Sequence, residues 1–85
     1  MIRYKIDVIA ELKKIGFTTM TARDTNLFSQ STMKKFKDGD TSISLDNLNR
    51  LCAVLKMHPE DIIEYVEDSR SDMRYMAYLE KINHK

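Results

Sequence analysis

The sequence predicts a small all-α domain, on the evidence of its composition and of successive apolar stripes at helical spacing. The chain has 85 residues, of which 42% are hydrophobic and 32% charged, a balance that disordered chains lack. It carries only two glycines and one proline, too few for the many turns of a β-sandwich. Because a chain of this length supports a single core, we expect one domain.

The first two helices are marked by apolar spacing and by capping residues. Val8, Leu12 and Ile15 lie on one stripe and Gly16 follows them, so the pattern predicts a helix that ends at this glycine. Thr18 and Thr19 can cap a short second helix over about residues 20–26. Its apolar face is thin, and this segment is the least marked of the predicted helices.

The third helix has the clearest start in the first half of the chain. Ser29 is a good N-cap, and Phe28 just before it can pack on Met33 at the fourth helical position as a hydrophobic staple. Phe36 continues that inner face. The sequence therefore predicts a helix over residues 30–37.

Two further helices follow in the second half. Ser44 caps a fourth helix, and Pro59 opens a short fifth helix that carries Ile62, Ile63 and Val66. The fourth helix has the strongest apolar stripe in the chain, which consists of Leu45, Leu48, Leu51, Cys52 and Leu55.

The C-terminal residues form a separate unit in the pattern. Residues 1–66 make up the predicted domain, and residues 67–85 comprise a polar break and a sixth, amphipathic helix. We expect the apolar side of this helix to be buried against a second copy related by a two-fold axis. The alternatives are that the helix folds back onto its own domain or that it frays. We call this side the C-terminal stripe, and as a predicted dimer interface it consists of Tyr75, Met76, Tyr78, Leu79 and Ile82.

Charge is segregated along the chain although the net charge is only +1. Residues 1–37 hold eight Lys or Arg and three acids, a net of +5, whereas residues 38–70 hold three bases and eight acids, a net of −5. A local basic face, rather than the average charge, is what binds phosphate. A near-neutral protein can therefore still bind nucleic acid.

Two short helices joined by a tight turn, as predicted over residues 19–39, are the layout of a helix-turn-helix. With Met33 and Phe36 inward, the outer face of the third helix suits the major groove, where Gln bridges adenine and Lys donates to guanine. The predicted base contacts are Gln30, Ser31, Lys34 and Lys35. The predicted phosphate contacts are Thr19, Ser29, Lys37, Thr41 and Ser42.

Residues 29–39, SQSTMKKFKDG, resemble the recognition helix of the Cro/C1-type helix-turn-helix regulators, which have the lambda-repressor-like fold. The similarity extends over residues 2–66 and is carried also by residues 2–7, 43–48 and 62–66. The resemblance implies a five-helix domain that binds double-stranded operator DNA, commonly as a homodimer. It places base contacts at the four residues named above and phosphate contacts at Thr19 and Ser29.

Two positions depart from that family's pattern. Arg23 stands where the family usually has a small alanine between the helices, and Leu27 stands where the turn usually has glycine. A leucine at positive φ would cost roughly 1 kcal/mol or more. The pattern therefore predicts either a differently wound turn or strain at Leu27.

Other classes of protein find less support. No nucleophile elbow, P-loop or metal-binding helix motif occurs, so we expect no enzyme, no cofactor and no metal. Cys52 lies on an apolar stripe without a basic neighbour and is predicted to be a small core residue. Charged residues near the N-terminus interrupt the apolar core that a signal peptide would need, and no apolar run is long enough to span a bilayer. We therefore expect a cytoplasmic protein without a membrane partner. The competing class is a protein-interaction subunit of antitoxin or anti-regulator type, which the acidic half supports weakly.

Overall fold

A computed structural model describes residues 1–67 of the chain and shows a mostly helical domain. In that range one short strand precedes five helices along the chain and a second short strand follows them. The elements are β1 (Ile2–Tyr4), α1 (Val8–Lys14), α2 (Thr19–Thr25), α3 (Gln30–Asp38), α4 (Leu45–Leu55), α5 (Pro59–Ile62) and β2 (Ile63–Tyr65). The sixth helix and the C-terminal stripe predicted from the sequence lie outside the described residues.

Polar N-caps fix the starts of the helices. The side chains of Ser29 and Ser44 accept hydrogen bonds from backbone amides three residues ahead, at 3.1 and 3.0 Å, which confirms both predicted caps. In α2 the cap is Thr18, whose side chain accepts from the amide of Thr21. Thr19 is therefore the first residue of α2 rather than a cap.

A small antiparallel sheet corrects the all-α prediction. β1 pairs with β2 so that Ile2 lies opposite Tyr65 and Tyr4 opposite Ile63. The fifth helix stops at Ile62 instead of continuing to Val66, and Ile63 is in extended conformation. A run rich in β-branched and aromatic residues suits a strand once another strand is available for pairing. The sheet thus brings the two ends of the domain together.

The core is a single cluster beneath the helices and the sheet. Leu12, Met33, Phe36 and Leu51 are buried as predicted, and Cys52 is half-buried against the cluster. Within residues 1–67, the buried apolar residues are Val8, Leu12, Ala22, Phe28, Met33, Phe36, Leu51 and Ile62.

Two residues placed on inner stripes by their spacing are instead exposed. Ile15 is 54% exposed because it follows the last residue of α1 and no longer continues the stripe. Leu45 is 83% exposed because it is the first residue of α4, and its side chain does not reach the core from that end of the helix. Apolar spacing predicts the face of a helix well in its middle and poorly at its ends.

The turn between α2 and α3 resolves the two departures from the family pattern. Asn26 takes the left-handed conformation with φ 55°, so the positive φ does not fall on Leu27 and no strain arises there. The small residue packed beneath the turn is Ala22, which is fully buried, whereas Arg23 is exposed. Both sequence-based assignments were therefore displaced by one position.

The left-handed residue supplies a stability test. Because asparagine tolerates this conformation better than alanine does, we expect Asn26→Ala to lower the free energy of unfolding by about 1 kcal/mol. Asn26→Gly should leave it within about 0.5 kcal/mol of the wild type. Urea unfolding followed by circular dichroism measures both, with Asn49→Ala on the exposed side of α4 as the control. Equal stability of Asn26→Ala and the wild type would contradict the assigned turn.

Tyr4 links β1 to the loop after α3. Its hydroxyl donates a hydrogen bond to the carbonyl oxygen of Asp40 at 2.9 Å. Burial, with a smaller effect of the Asp40 carboxylate, raises the pKa of Tyr4 to about 12. This hydrogen bond connects the loop that follows α3 to the sheet.

The raised pKa predicts a loss of stability in alkali. The folded-state pKa exceeds the ordinary value of 10.0, so the protonated phenol contributes fully below that pH and its contribution is lost as pH rises towards 12. Urea unfolding at a series of pH values should therefore show a steeper alkaline fall for the wild type than for Tyr4→Phe. Parallel pH profiles for the two proteins would contradict this role of Tyr4.

Candidate nucleic-acid interface

The helix-turn-helix is anchored by an aromatic residue in its turn. Phe28 is 2% exposed and makes edge-to-face contacts with Phe17 and Phe36, with ring centroids 5.8 and 5.2 Å apart. Phe17 lies just before the Thr18 cap of α2 and Phe36 lies on α3, so Phe28 links α3 with the segment that leads into α2. The position of α3 therefore depends in part on a buried aromatic contact.

α4 braces the same turn from its polar side. The guanidinium of Arg50 donates a hydrogen bond to the carbonyl oxygen of Leu27 at 2.8 Å. It also pairs with the carboxylate of Asp46 at 3.1 Å. Asn47 approaches the hydroxyl of Thr32 at 3.4 Å, and that hydroxyl lies 2.9 Å from the Ser29 hydroxyl. The start of α3 is thus held from two directions.

Removing the guanidinium should loosen the turn measurably. We expect Arg50→Met, which keeps an apolar stem, to cost about 1 kcal/mol because the carbonyl of Leu27 loses its charged donor. Asp46→Asn breaks only an exposed ion pair and should cost roughly half as much or less. Thermal unfolding of both variants checks the difference. If Asp46→Asn lowers the stability as much as Arg50→Met does, the hydrogen bond from Arg50 to the carbonyl oxygen of Leu27 is not what stabilises the turn.

The outer face of α3 carries most of the residues predicted to contact bases. Gln30, Ser31 and Lys34 are exposed, whereas Met33 and Phe36 are buried on the opposite side. The ammonium of Lys34 lies 3.4 Å from the carboxylate of its i+4 neighbour Asp38, in an exposed pair that contributes little to stability. This face can thus present an amide, a hydroxyl and an amine to a ligand.

A basic groove lies between α1 and α3 and the start of α2. It encloses about 500 Å³ and contains three lysines from two helices. Its lining residues are Ile9, Lys13, Thr19, Gln30, Met33, Lys34 and Lys37. Four residues singled out in the sequence, Thr19, Gln30, Lys34 and Lys37, therefore meet on one surface.

Lys13 is the member of the basic groove that sequence analysis missed. It lies in the last turn of α1, and its place in the groove depends on the packing of α1 against α3, which arises only in the folded chain. Within residues 1–67, neither Lys13 nor Lys37 has a carboxylate within 4.0 Å, whereas Lys14 pairs with Glu11 at 2.9 Å. Two ammonium groups of the groove therefore have no ion-pair partner in the described part of the domain.

Lys35 and the loop after α3 lie at another margin of the helix. Lys35 is half-buried, and its ammonium donates to the carbonyl oxygen of Ser42 at 2.7 Å. The Thr41 hydroxyl donates to the carbonyl oxygen of Ile2 at 3.1 Å. The hydroxyl and amide of Ser42 bond the Asp40 carboxylate at 2.6 and 2.8 Å, which lowers the pKa of Asp40. These three predicted contacts do not line the basic groove.

Ser29 also has its side chain engaged within the domain. Its hydroxyl accepts the amide of Thr32 as the α3 cap and lies 3.0 Å from the Ser31 hydroxyl. An anion approaching this end of α3 would meet backbone amides of the first turn alongside these hydroxyls.

The predicted dimer residues Tyr75, Met76, Tyr78, Leu79 and Ile82 lie outside the described residues.

The helices of residues 1–67 are all too short or too polar to cross a bilayer.

Comparison with known proteins assigns the family. A family model described as the Cro/C1-type HTH DNA-binding domain matches residues 5–68, three quarters of the chain. Neither the curated proteins nor the solved structures yield a significant match. The match spans α1 to β2 and contains the helix-turn-helix, the braced turn and the basic groove. The chain therefore belongs to the Cro/C1-type helix-turn-helix family and is a DNA-binding transcription regulator of that broad class, which is typically non-enzymatic.

Proposed function

We propose that this protein is a sequence-specific regulator that binds double-stranded operator DNA in the cytoplasm and represses transcription as a homodimer. The observation that carries the proposal is the basic groove, in which exposed residues of α3 adjoin lysines of both α1 and α3. A small domain bound over a promoter can repress simply by occupying it. Repression therefore requires no chemistry beyond DNA binding.

Base reading is assigned to the outer face of α3. Gln30 and Lys34 are one helical turn apart, exposed, and both line the basic groove. Gln30 can accept from and donate to adenine in the major groove, and Lys34 can donate to guanine O6 and N7. Ser31 and Lys35 extend this face to one side. We expect Lys35 to contribute less, because its ammonium already binds Ser42.

Phosphate binding is assigned to the margins of α3. Lys37 and Thr19 lie in the basic groove beside Lys13, which we add to the proposed contacts because its ammonium has no ion-pair partner within residues 1–67. Ser29 marks the amide-bearing start of α3. The loop residues Thr41 and Ser42 are proposed as outer contacts, for which their hydroxyls would have to leave their partners in the domain.

Dimerisation through the C-terminal stripe completes the proposal. Helix-turn-helix domains bind two half-sites about 34 to 36 Å apart as dimers, and a single small recognition surface gives limited affinity. The stripe Tyr75, Met76, Tyr78, Leu79 and Ile82 is the proposed contact between copies.

Salt titration of DNA binding tests the function directly. An operator binder that neutralises several phosphates should lose affinity steeply with salt, and Lys13→Ala or Lys37→Ala should each reduce the logarithmic slope by about one unit. Lys14→Ala, at a lysine that does not line the groove, is the matched control. Binding without salt dependence or sequence preference would favour the alternative, a protein-interaction subunit of antitoxin or anti-regulator type.

A further inference from the structure

A second groove lies beside the proposed DNA-binding surface, with which it shares only Thr41, and its walls are almost wholly apolar. It encloses about 270 Å³ between the sheet, the loop after α3 and the start of α4. Its apolar walls are Ile2, Tyr4, Ile43, Leu45, Leu48 and Ile63. The two grooves have no lining residue in common. A partner seated in this apolar groove would leave the lysines and Gln30 available to DNA.

The rim of the apolar groove exposes side chains that a self-sufficient domain would be expected to cover. Leu45 is 83% exposed and Ile2 is 43% exposed. They come from α4 and β1, elements far apart in sequence, and the fold places them on one groove. Contiguous exposed apolar surface with a concave centre is typical of a docking site.

The end of the described chain lies next to this groove. The amide of Val66 donates to the carbonyl oxygen of Met1 at 2.8 Å, beside Ile2 on the groove wall. Residues 68–85 therefore begin close to the groove. They contain the C-terminal stripe, whose four largest members recur at i, i+3, i+4 and i+7. An apolar stripe and an apolar groove are complementary in kind.

We propose, building on the dimer of the proposed function, that the C-terminal stripe of a second copy occupies the apolar groove. Exchange of stripes in both directions is the self-complementary contact that a two-fold dimer requires. It buries two stripes and two grooves, which doubles the contact, whereas one groove alone is small beside the roughly 800 Å² per partner typical of stable complexes. The stripe thus docks on a specific surface formed by the sheet and α4.

Leu45 allows the proposal to be tested without unfolding the domain, because its side chain is mostly exposed. Sedimentation of the full chain at micromolar concentration should give twice the 10.0 kDa chain mass. Leu45→Gln should raise the dimer dissociation constant at least tenfold, as expected for a leucine that becomes buried. Ile15→Gln, an exposed apolar residue outside the groove, should leave the dissociation constant unchanged. An unchanged dimer in Leu45→Gln, or a monomeric wild type, would overturn the proposal.

Cysteine cross-linking identifies which chain supplies the stripe. In a Cys52→Ser background, a mixture of Leu45→Cys and Leu79→Cys proteins should form a disulfide between copies on mild oxidation. A double variant that forms the bond within a monomer would overturn the two-copy assignment in favour of folding back.

DNA binding separates failure of this contact from failure of the proposed function. Leu45→Gln should keep the wild-type affinity for a duplex with one half-site and lose affinity for a duplex with two. Absence of DNA binding by the wild type would refute the proposed function, and the mass and cross-linking results would still decide the dimer contact.

Discussion

Phe28→Ala is expected to lower the free energy of unfolding by about 3–5 kcal/mol. The ring is buried to 2% exposure and contacts two other aromatic rings, so its removal leaves a cavity at the junction of α2, α3 and the core. Small domains have only about 5–15 kcal/mol of total stability, so much of the variant population should be unfolded at moderate temperature. Thermal and urea unfolding followed by circular dichroism measure the loss.

Met20→Ala is the matched control for that substitution. Met20 lies in α2, in the same motif, but is 66% exposed, so its truncation should cost less than about 0.5 kcal/mol. A cost below 1 kcal/mol for Phe28→Ala would show that the turn is not anchored as described.

Gln30→Ala and Lys34→Ala are each expected to weaken binding to a specific site by about 1–3 kcal/mol and to relax the base preference at one position. Neither side chain is buried, so both proteins should keep wild-type stability within about 0.5 kcal/mol. Affinity for the preferred duplex and for a competitor of unrelated sequence, measured at one salt concentration, gives the specificity ratio. That ratio should fall in both variants.

Thr19→Ala provides the contrast, because a phosphate contact carries no base information. It should weaken preferred and unrelated duplexes alike and leave their ratio unchanged. Equal losses of specific and non-specific binding in all three variants, with folding intact, would contradict the assignment of base contacts to α3.

Local patterns were sufficient to predict the recognition helix. Ser29 as cap and Met33 and Phe36 as inner residues are set by interactions within one short segment, and all three were found as predicted. With the inner side fixed, exposure of Gln30 and Lys34 follows from helix geometry. This accounts for the place of these two residues in the basic groove, whereas Thr19 of α2 joins them through the packing of α2 against α3.

Features that depend on distant parts of the chain were not predicted. β1 and β2 are about sixty residues apart, and neither three-residue segment shows enough alternation to predict a strand without its partner. Lys13 joins the basic groove only because α1 packs against α3.

The positive φ of the turn was expected at Leu27 and lies one position earlier, at Asn26. This difference has a local cause, since asparagine can take the left-handed conformation almost as well as the expected glycine.

Selection of bound fragments from random duplex DNA tests the central claim that α3 reads base sequence. The account predicts enrichment of a short motif, repeated with two-fold symmetry at about 34 to 36 Å between half-site centres. The same selection with Gln30→Ala should lose information at one position of each half-site, whereas Lys14→Ala should return the wild-type motif. A bound pool with the base composition of the input, obtained with folded wild-type protein, would contradict the account.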